Sequence, residues 1–235
     1  DPSLSAPLPA PSTEPAALDR VASPPMTLSD TARQPDMRRL RGRRLARVRA
    51  ELKAADVAGL LLFDPINIRY ATGSRNMAVW TLHNAARYCF IPTEGPVVLF
   101  DFHGCEHLSE GLETIGEVRL AHGFYFYASG PRVAERAAAW AAEIAELVAA
   151  HGGGNRRLAA DHCDPAGAHE LAARGIDLVE GQGLMEMARR LKSDDELACM
   201  AHAMAVCEAG MAAMREALRP GITENELWAE LNRVN

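Results

Sequence analysis

The chain has 235 residues, of which 48% are hydrophobic and 24% are charged, and its formal net charge is −6. This length can bury one sizeable core. The five cysteines are scattered, odd in number and without a CxxC pair, which argues against a disulfide framework and favours a cytoplasmic protein. The first residues lack the basic-then-apolar order of a secretory signal, and no apolar run approaches the ~20 residues of a membrane span, so no membrane partner is expected. The sequence does not begin with Met, which would fit a chain that is incomplete at its start.

Residues 1–36 are predicted to be a disordered tail. Asp1 to Pro35 holds eight of the fourteen prolines, with Ser, Thr and Ala between them and only isolated Leu, Val and Met. A segment so poor in periodic apolar residues cannot offset its chain entropy by burial.

A basic amphipathic helix is predicted from Met37. Its apolar face comprises Met37, Leu40, Leu45, Val48 and Leu52, and its other face comprises Arg38, Arg39, Arg41, Arg43, Arg44, Arg47 and Arg49. Two interpretations stand: a helix that binds nucleic acid or a membrane surface, or a sheet-covering helix whose arginines are solvated or ion-paired. We favour the second, and expect no nucleic-acid partner, because the rest of the chain is acidic.

The next strand leads into an unusual segment, Phe63 to Asn84. Val57–Phe63 is a continuous apolar run, typical of a strand buried on both faces of a sheet. Asp64 can cap and Pro65 can begin a short helix, which a Thr-Gly-Ser sequence then ends. Residues 75–84 mix charged, amide and aromatic side chains without periodicity, and we expect a functional loop there.

The middle of the chain predicts an α/β sheet. In order, we expect strands at 87–91 and 97–100 joined as a hairpin, an edge strand at 118–120 followed by a loop at 124–127, a helix at 131–151, a strand at 158–160, a helix at 165–174 and a strand at 176–179. The repeated order of strand, helix and strand indicates a three-layer α/β domain with a mixed, mostly parallel sheet over residues 37–187.

Residues 188–235 are predicted to form a linker and the first helices of another domain. Ser193 with Glu196 and Thr223 with Glu226 each form a capping box at a helix start. Both helices carry an apolar stripe, and two such helices cannot form a domain of their own. We therefore expect this second domain to be incomplete here.

One segment matches a zinc motif. His103-Gly104-Cys105-Glu106-His107 fits H-x-x-E-H, in which two histidines one helical turn apart bind the metal and the Glu is the base. The motif must be helical, and Gly104 directly follows a predicted strand. A small zinc hydrolase is therefore kept only as an alternative.

Two ordered stretches resemble the creatinase, prolidase and aminopeptidase P family. FDPINIRYATG, followed by N-M-x-x-W and H-N, is similar to its first domain, and ARRLKS with Glu196, then PGITE with Glu226, is similar to the junction with its second. Within the family, the first stretch looks closest to the branch that includes dimethylsulfoniopropionate lyases. The resemblance implies a creatinase-like N-terminal domain, followed by the first two helices of a truncated α+β pita-bread domain.

The same resemblance places the chemistry outside this sequence. The family uses a pair of divalent metal ions held by two Asp, one His and two Glu, all beyond residue 235, which implies no catalytic and no metal-binding residue in this chain. The fragment alone is expected to be inactive. The family also implies a homodimer, in which the first domain shields the mouth of the catalytic site.

Four residues are candidate substrate contacts under this resemblance: Tyr70, Arg75, Trp80 and His83. Arg75 can pair with a substrate carboxylate, and Trp80 or Tyr70 can offer an aromatic face to a proline ring or a sulfonium cation. The alternative is that both aromatics are core residues and Arg75 is an ordinary surface residue.

The sequence favours the N-terminal, substrate-access part of a dinuclear-metal hydrolase of the Xaa-Pro peptidase type, acting on a peptide or small molecule. Gly73-Ser74-Arg75 departs from the lyases at the loop, so a lyase-like parent enzyme is the alternative. A non-catalytic module that binds a peptide or a partner is a third hypothesis.

Overall fold

The computed structural model describes residues 31–234. Most of the predicted tail, residues 1–36, lies outside this range. Its last residues contact the C-terminal part of the chain: Arg33 Nη2 lies 3.5 Å from Asp194 Oδ2, and the Asp36 amide donates to Asp195 Oδ1 at 3.2 Å.

The helices and strands follow the predicted order. They are α1 (Met37–Ala54), β1 (Gly59–Leu62), α2 (Pro65–Thr72), α3 (Ala78–His83), β2 (Tyr88–Pro92), β3 (Val98–Asp101), a 3-10 turn (Glu106–Ser109), β4 (Glu117–Leu120), α4 (Phe126–Ser129), a 3-10 turn (Gly130–Arg132), α5 (Val133–His151), β5 (Arg157–Ala160), α6 (Pro165–Ala173), β6 (Asp177–Glu180), α7 (Gln182–Arg190), α8 (Asp194–Ala217) and α9 (Glu224–Val234). Helix α7 lies where the sequence predicts no element and extends into the predicted linker, and α3 and α4 lie where the sequence predicts loops. Both are too short to show a helical period in the sequence.

The sheet has six strands in the order β4-β3-β2-β1-β5-β6. Strand β1 is antiparallel to β2, which is antiparallel to β3, whereas β1 with β5, β3 with β4, and β5 with β6 are parallel. The predicted hairpin is the pair β2 and β3. Since parallel pairs are in the majority, the predicted mixed, mostly parallel sheet is confirmed.

The apolar run of β1 separates two cores. Leu61 and Phe63 face a core with Trp140, which α5 and α6 cover, while Leu60 and Leu62 face a core that α1, α2 and α7 cover. All five of these side chains are buried. Alternation of side chains along a strand therefore produces the three predicted layers from one continuous hydrophobic sequence.

The basic face of α1 is ion-paired with the start of α8. Arg39 Nη2 lies 2.6 Å from Asp195 Oδ1. Arg44 and Arg47 reach the two carboxylate oxygens of Glu196 at 2.8 and 3.2 Å. We call this group the arginine–carboxylate clamp. This clamp agrees with the interpretation of α1 as a helix with ion-paired arginines. It also fixes the direction in which α8 leaves the α/β domain.

Hydrogen bonds keep both carboxylates of the clamp ionised. The bond from Arg39 lowers the pKa of Asp195 from 3.8 to about 2. Burial by itself would raise the pKa of Glu196, but hydrogen bonds from Ser193 and Arg44 outweigh it, and the pKa is lowered. Glu196 also closes the predicted capping box with Ser193.

Helices α8 and α9 pack on each other and leave much of their apolar surface exposed. They meet at Gly210, where a Cβ would lie 2.6 Å from Leu231 Cδ1. The second predicted capping box, Thr223 with Glu226, is present at the start of α9. The exposed apolar side chains include Leu197, Met200, Met204, Met211, Leu218 and Trp228.

By length and composition alone, α8 could span a membrane. This finding corrects the expectation that no segment is long and apolar enough. The expectation failed because Ala, Met and Cys make α8 apolar without a continuous aliphatic run. Only 11% of the apolar window in α8 is buried within the described residues, and the clamp holds the first turn of α8 against α1.

The clamp predicts an acid-sensitive contribution to stability. Because folding lowers the pKa of Asp195 below its unfolded value of about 3.9, this contribution is full above that pH and is lost as the pH falls toward 2. We expect the free energy of unfolding to fall more steeply between pH 4 and pH 2 in the native chain than in Asp195→Asn, as measured by urea titration. Parallel pH profiles would contradict the assignment.

Candidate functional site

The candidate site starts at the edge of the sheet where the parallel strands β1 and β5 both end. Ligand-binding crevices of α/β sheets lie at such carboxyl ends. Asp161 follows β5, and its side chain is fully buried. It accepts hydrogen bonds from the amides of Phe63 at 2.8 Å and Asp64 at 3.0 Å. Asp161 thereby fixes the turn from β1 into α2.

Asn67, from the N-I-R-Y sequence, is the second buried polar residue at this edge. Its Nδ2 donates to Asp161 Oδ2 at 3.1 Å and to Gln182 Oε1 at 2.8 Å. Its Oδ1 accepts from Arg189 Nη1 at 3.1 Å. These bonds tie α2 to the end of β5 and to α7, so this part of the motif has a structural role.

Helix α2 begins and ends as the sequence predicts. Asp64 Oδ1 accepts from the Ile66 amide at 2.6 Å, and Pro65 occupies the first turn. Gly73 ends the helix with φ of 84°. The left-handed backbone favours glycine here, and a Cβ would also lie 2.3 Å from Arg41 Cδ, so that the Arg41 side chain would have to shift.

The segment after α2 is held by a buried ion pair that sequence analysis missed. Arg87 Nε lies 2.9 Å from Asp101 Oδ2, and both side chains are almost completely buried. Arg87 also donates to Ser74 Oγ, and Asn76 Nδ2 donates to Asp101 Oδ1 at 2.7 Å. The two neighbours of Arg75 therefore face the interior, while Arg75 itself is exposed.

Tyr70, the first candidate contact, lies inside the domain. Only 8% of the residue is exposed, and its hydroxyl donates to the Ala188 carbonyl at 2.8 Å. The Arg44 guanidinium covers one face of the ring, 4.8 Å from its centroid. Burial raises the pKa of the Tyr70 hydroxyl. This is the placement that the core-aromatic alternative describes, while a substrate contact by Tyr70 stays a prediction.

The other three candidates lie at the surface. Arg75 makes no hydrogen bond or ion pair with any residue between 31 and 234, and it lines a cleft of about 1210 Å³ bordered by α1, α2, α7 and α8. Trp80 lies edge-on to Tyr127, with ring centroids 5.7 Å apart. Trp80 and His83 line a smaller open hollow on α3. Met77 borders both the cleft and the hollow, so the two are adjacent.

The cleft is basic although the chain is acidic. Its charged lining residues are Arg41, Arg44, Arg69, Arg75, Arg189, Arg190, Lys192, Glu110, Glu186 and Glu196. Arg41 and Arg44 are paired with carboxylates, whereas the side chains of Arg69 and Arg75 have no partner in the described part of the chain. Unpaired guanidinium groups in a concave surface suit a carboxylate or another small anion.

The H-x-x-E-H segment does not form the helix that its zinc motif needs. Gly104 has φ of 79°, and the 3-10 turn begins only at Glu106. His107 Nδ1 lies 3.1 Å from the Gly104 carbonyl oxygen. Across residues 31–234, no group of three or more His, Cys, Asp or Glu side chains is placed to hold a metal ion. The described geometry therefore gives the zinc alternative no support.

The pattern that defines the creatinase/prolidase N-terminal domain matches residues 44–190. The chain belongs to this family. The match contains all six strands of the sheet, and it also contains Asn67, the Arg87–Asp101 pair and all four candidate contacts. The predicted resemblance is thus confirmed over most of the α/β domain.

Two curated members of the family are similar along most of this chain. A dimethylsulfoniopropionate lyase, DddP, from Roseovarius nubinhibens is 37% identical over 206 residues, which are 86% of this chain and 46% of that protein. The enzyme of the same name from Roseobacter denitrificans is 36% identical over 204 residues, or 85% and 45% of the two chains.

Solved structures agree on the fold. A prolidase from Thermococcus sibiricus superposes with a TM-score of 0.60 at 21% identity, covering 82% of this chain and 48% of that one. An Xaa-Pro dipeptidase from Bacillus anthracis gives 0.58 at 20% identity, covering 83% and 48%. The chain thus spans about half the length of the relatives that it matches.

The placement of Tyr70 leads to a stability prediction. Tyr70→Phe removes the donor to the Ala188 carbonyl and leaves that buried acceptor unsatisfied, so we expect the free energy of unfolding to fall by about 1–2 kcal/mol. Tyr127→Phe is the matched control, because Tyr127 is 81% exposed and its hydroxyl has no partner in the described residues. Denaturant titration of the two variants measures the difference. Equal stabilities would contradict a structural role for the Tyr70 hydroxyl.

Proposed function

We propose that this chain is the N-terminal, substrate-access portion of an enzyme related to dimethylsulfoniopropionate lyases. The observation that carries the proposal is the 37% identity to the Roseovarius lyase over 86% of the chain. The prolidase structures, at 21% identity or less, support only the fold. The comparisons thus favour the lyase alternative over the peptidase that the sequence placed first.

The exposed groups of the site suit the two ends of such a substrate. Dimethylsulfoniopropionate carries a sulfonium cation and a carboxylate. Arg75 is exposed and unpaired among the described residues, and its guanidinium can bind a carboxylate through two hydrogen bonds. Trp80 presents an aromatic face that attracts a cation, and His83 lies in the same hollow. In this proposal, Tyr70 supports α2 from inside the domain.

Bond cleavage is assigned to the other half of the enzyme, which the relatives have and this chain does not include. By the family pattern, a pair of divalent metal ions there would supply the Lewis acid. The residues of this chain would bind and orient the substrate and exclude water. The exposed apolar faces of α8 and α9 support this division, because a following domain can cover them.

We further propose a cytoplasmic homodimer that binds neither nucleic acid nor membrane. The basic face of α1 supports this in part, because three of its arginines, Arg39, Arg44 and Arg47, are engaged in the clamp. The five cysteines are free thiols. Helices α3 and α4 also expose a group of large apolar residues that a second subunit can cover: Met77, Val79, Leu82, Phe126 and Tyr127.

An Xaa-Pro peptidase, which the sequence analysis placed first, is the second candidate. A dipeptide also carries a carboxylate for Arg75, and its proline ring could pack on Trp80. The two candidates predict different substrates for the same surface. A non-catalytic binding module would have neither activity.

The first experiment compares the two substrates in a protein completed to the length of the relatives. With added divalent metal, we expect turnover of dimethylsulfoniopropionate to exceed turnover of Xaa-Pro dipeptides. Dipeptide hydrolysis without lyase activity would replace the proposal with the second candidate. The chain of 235 residues should turn over neither substrate, and activity of this chain alone would overturn the division of labour.

Arg75→Ala tests the carboxylate contact in the completed protein. Loss of a charged hydrogen bond corresponds to about 1.5–3 kcal/mol, so we expect KM to rise roughly tenfold to a hundredfold with little change in kcat. Arg43→Ala is the matched control, since Arg43 is also exposed and unpaired in residues 31–234 but does not line the cleft. Unchanged kcat/KM in Arg75→Ala would remove Arg75 from the substrate site.

A further inference from the structure

We infer that the buried pair of Arg87 and Asp101 positions the loop that presents Arg75, with Ser74 and Asn76 as its two points of attachment. Arg87, Asp101 and Ser74 are buried and do not line the cleft, so they are positioning residues, whereas Asn76 also borders the cleft. Their link to substrate binding depends on the proposed function, whereas the attachment of the loop rests on geometry alone.

The residues on both sides of Arg75 are hydrogen-bonded to the buried pair. Arg87 uses Nε on Asp101 Oδ2 at 2.9 Å and Nη2 on Ser74 Oγ. Asp101 Oδ1 accepts from Asn76 Nδ2 at 2.7 Å. Because residues 74 and 76 are both drawn inward, the side chain between them has to project outward. The exposed position of Arg75 on the rim of the cleft agrees with this constraint.

The loop is also bonded to the segment that follows β3. Ser74 Oγ lies 2.8 Å from Ser109 Oγ, and the Ser74 amide donates to Thr72 Oγ1 at 3.1 Å. The Thr114 hydroxyl donates to the Thr72 carbonyl. The end of α2 is therefore attached to the hairpin and to the residues after it, and the loop cannot shift without breaking several buried hydrogen bonds.

The buried pair of Arg87 and Asp101 is better explained by the position that it gives the loop than by any stability that it adds to the fold. A buried ion pair usually contributes less stability than well-packed apolar residues of similar volume, but its charges demand partners in a fixed geometry. Here those partners belong to the loop. Without the attachment, Arg75 could turn toward a carboxylate of the same cleft, such as Glu110. Holding the guanidinium ready lowers the ordering cost of binding an anion.

Hydrogen exchange of the full chain tests the attachment without any assay of activity. Ser74→Ala and Asn76→Ala leave the ion pair intact, so we expect both to fold and to exchange faster in peptides covering residues 73–83, with β1 and β5 unchanged. Ser129→Ala is the control, because it removes another buried serine hydroxyl that is hydrogen-bonded elsewhere. The inference is overturned if exchange of residues 73–83 is unaltered, or if protection is lost throughout the sheet.

Kinetics of the completed enzyme test the link to substrate. For Ser74→Ala and Asn76→Ala we expect KM to rise on the order of tenfold with kcat within about twofold. Neither change should add to the effect of Arg75→Ala, since all act through the same guanidinium. Additive effects would overturn the positioning role. If the completed enzyme turns over neither substrate, the proposed function fails, and the exchange experiment still decides whether the loop is held.

Discussion

A carboxylate that is withdrawn from water must be given hydrogen-bond donors, and three buried carboxylates organise this domain. Asp161 accepts hydrogen bonds from the amides of the turn between β1 and α2. Asp101 accepts hydrogen bonds from Arg87 and Asn76 and so holds the loop after α2. Glu196 accepts hydrogen bonds from Ser193, Arg44 and Arg47 and so holds α8 on α1. Each of the three lies where one chain segment passes to the next.

This arrangement is consistent with the substrate-presenting role proposed above for the domain. The sheet and its two cores are apolar, and the side chains of functional interest are carried on short segments attached to the carboxyl edge. Arg75 faces a basic cleft, and Trp80 with His83 faces the adjoining hollow. Glu196, in the first turn of α8, also lines that cleft. A following domain would therefore approach the same surface that carries the candidate contacts.

The peptidase and lyase interpretations of the parent enzyme rest on different amounts of sequence. The peptidase was favoured because three residues, Gly73 to Arg75, depart from the lyases. The identity to the lyases extends over 206 residues. The left-handed backbone at Gly73 favours glycine for a local conformational reason, so this residue by itself says little about the substrate.

The sequence by itself determined the elements and layers. Continuous apolar strands, Asp64-Pro65, Gly73 and both capping boxes act through neighbours within a few residues, so their effects can be read locally. Tertiary structure alone decided which polar groups meet. Arg87 and Asp101 lie at the ends of two apolar strands, and only the hairpin register, with Tyr88 opposite Phe100, brings them together. The pairing of α1 arginines with Asp195 and Glu196 spans about 150 residues. Such contacts depend on how distant elements pack, and no local pattern encodes them.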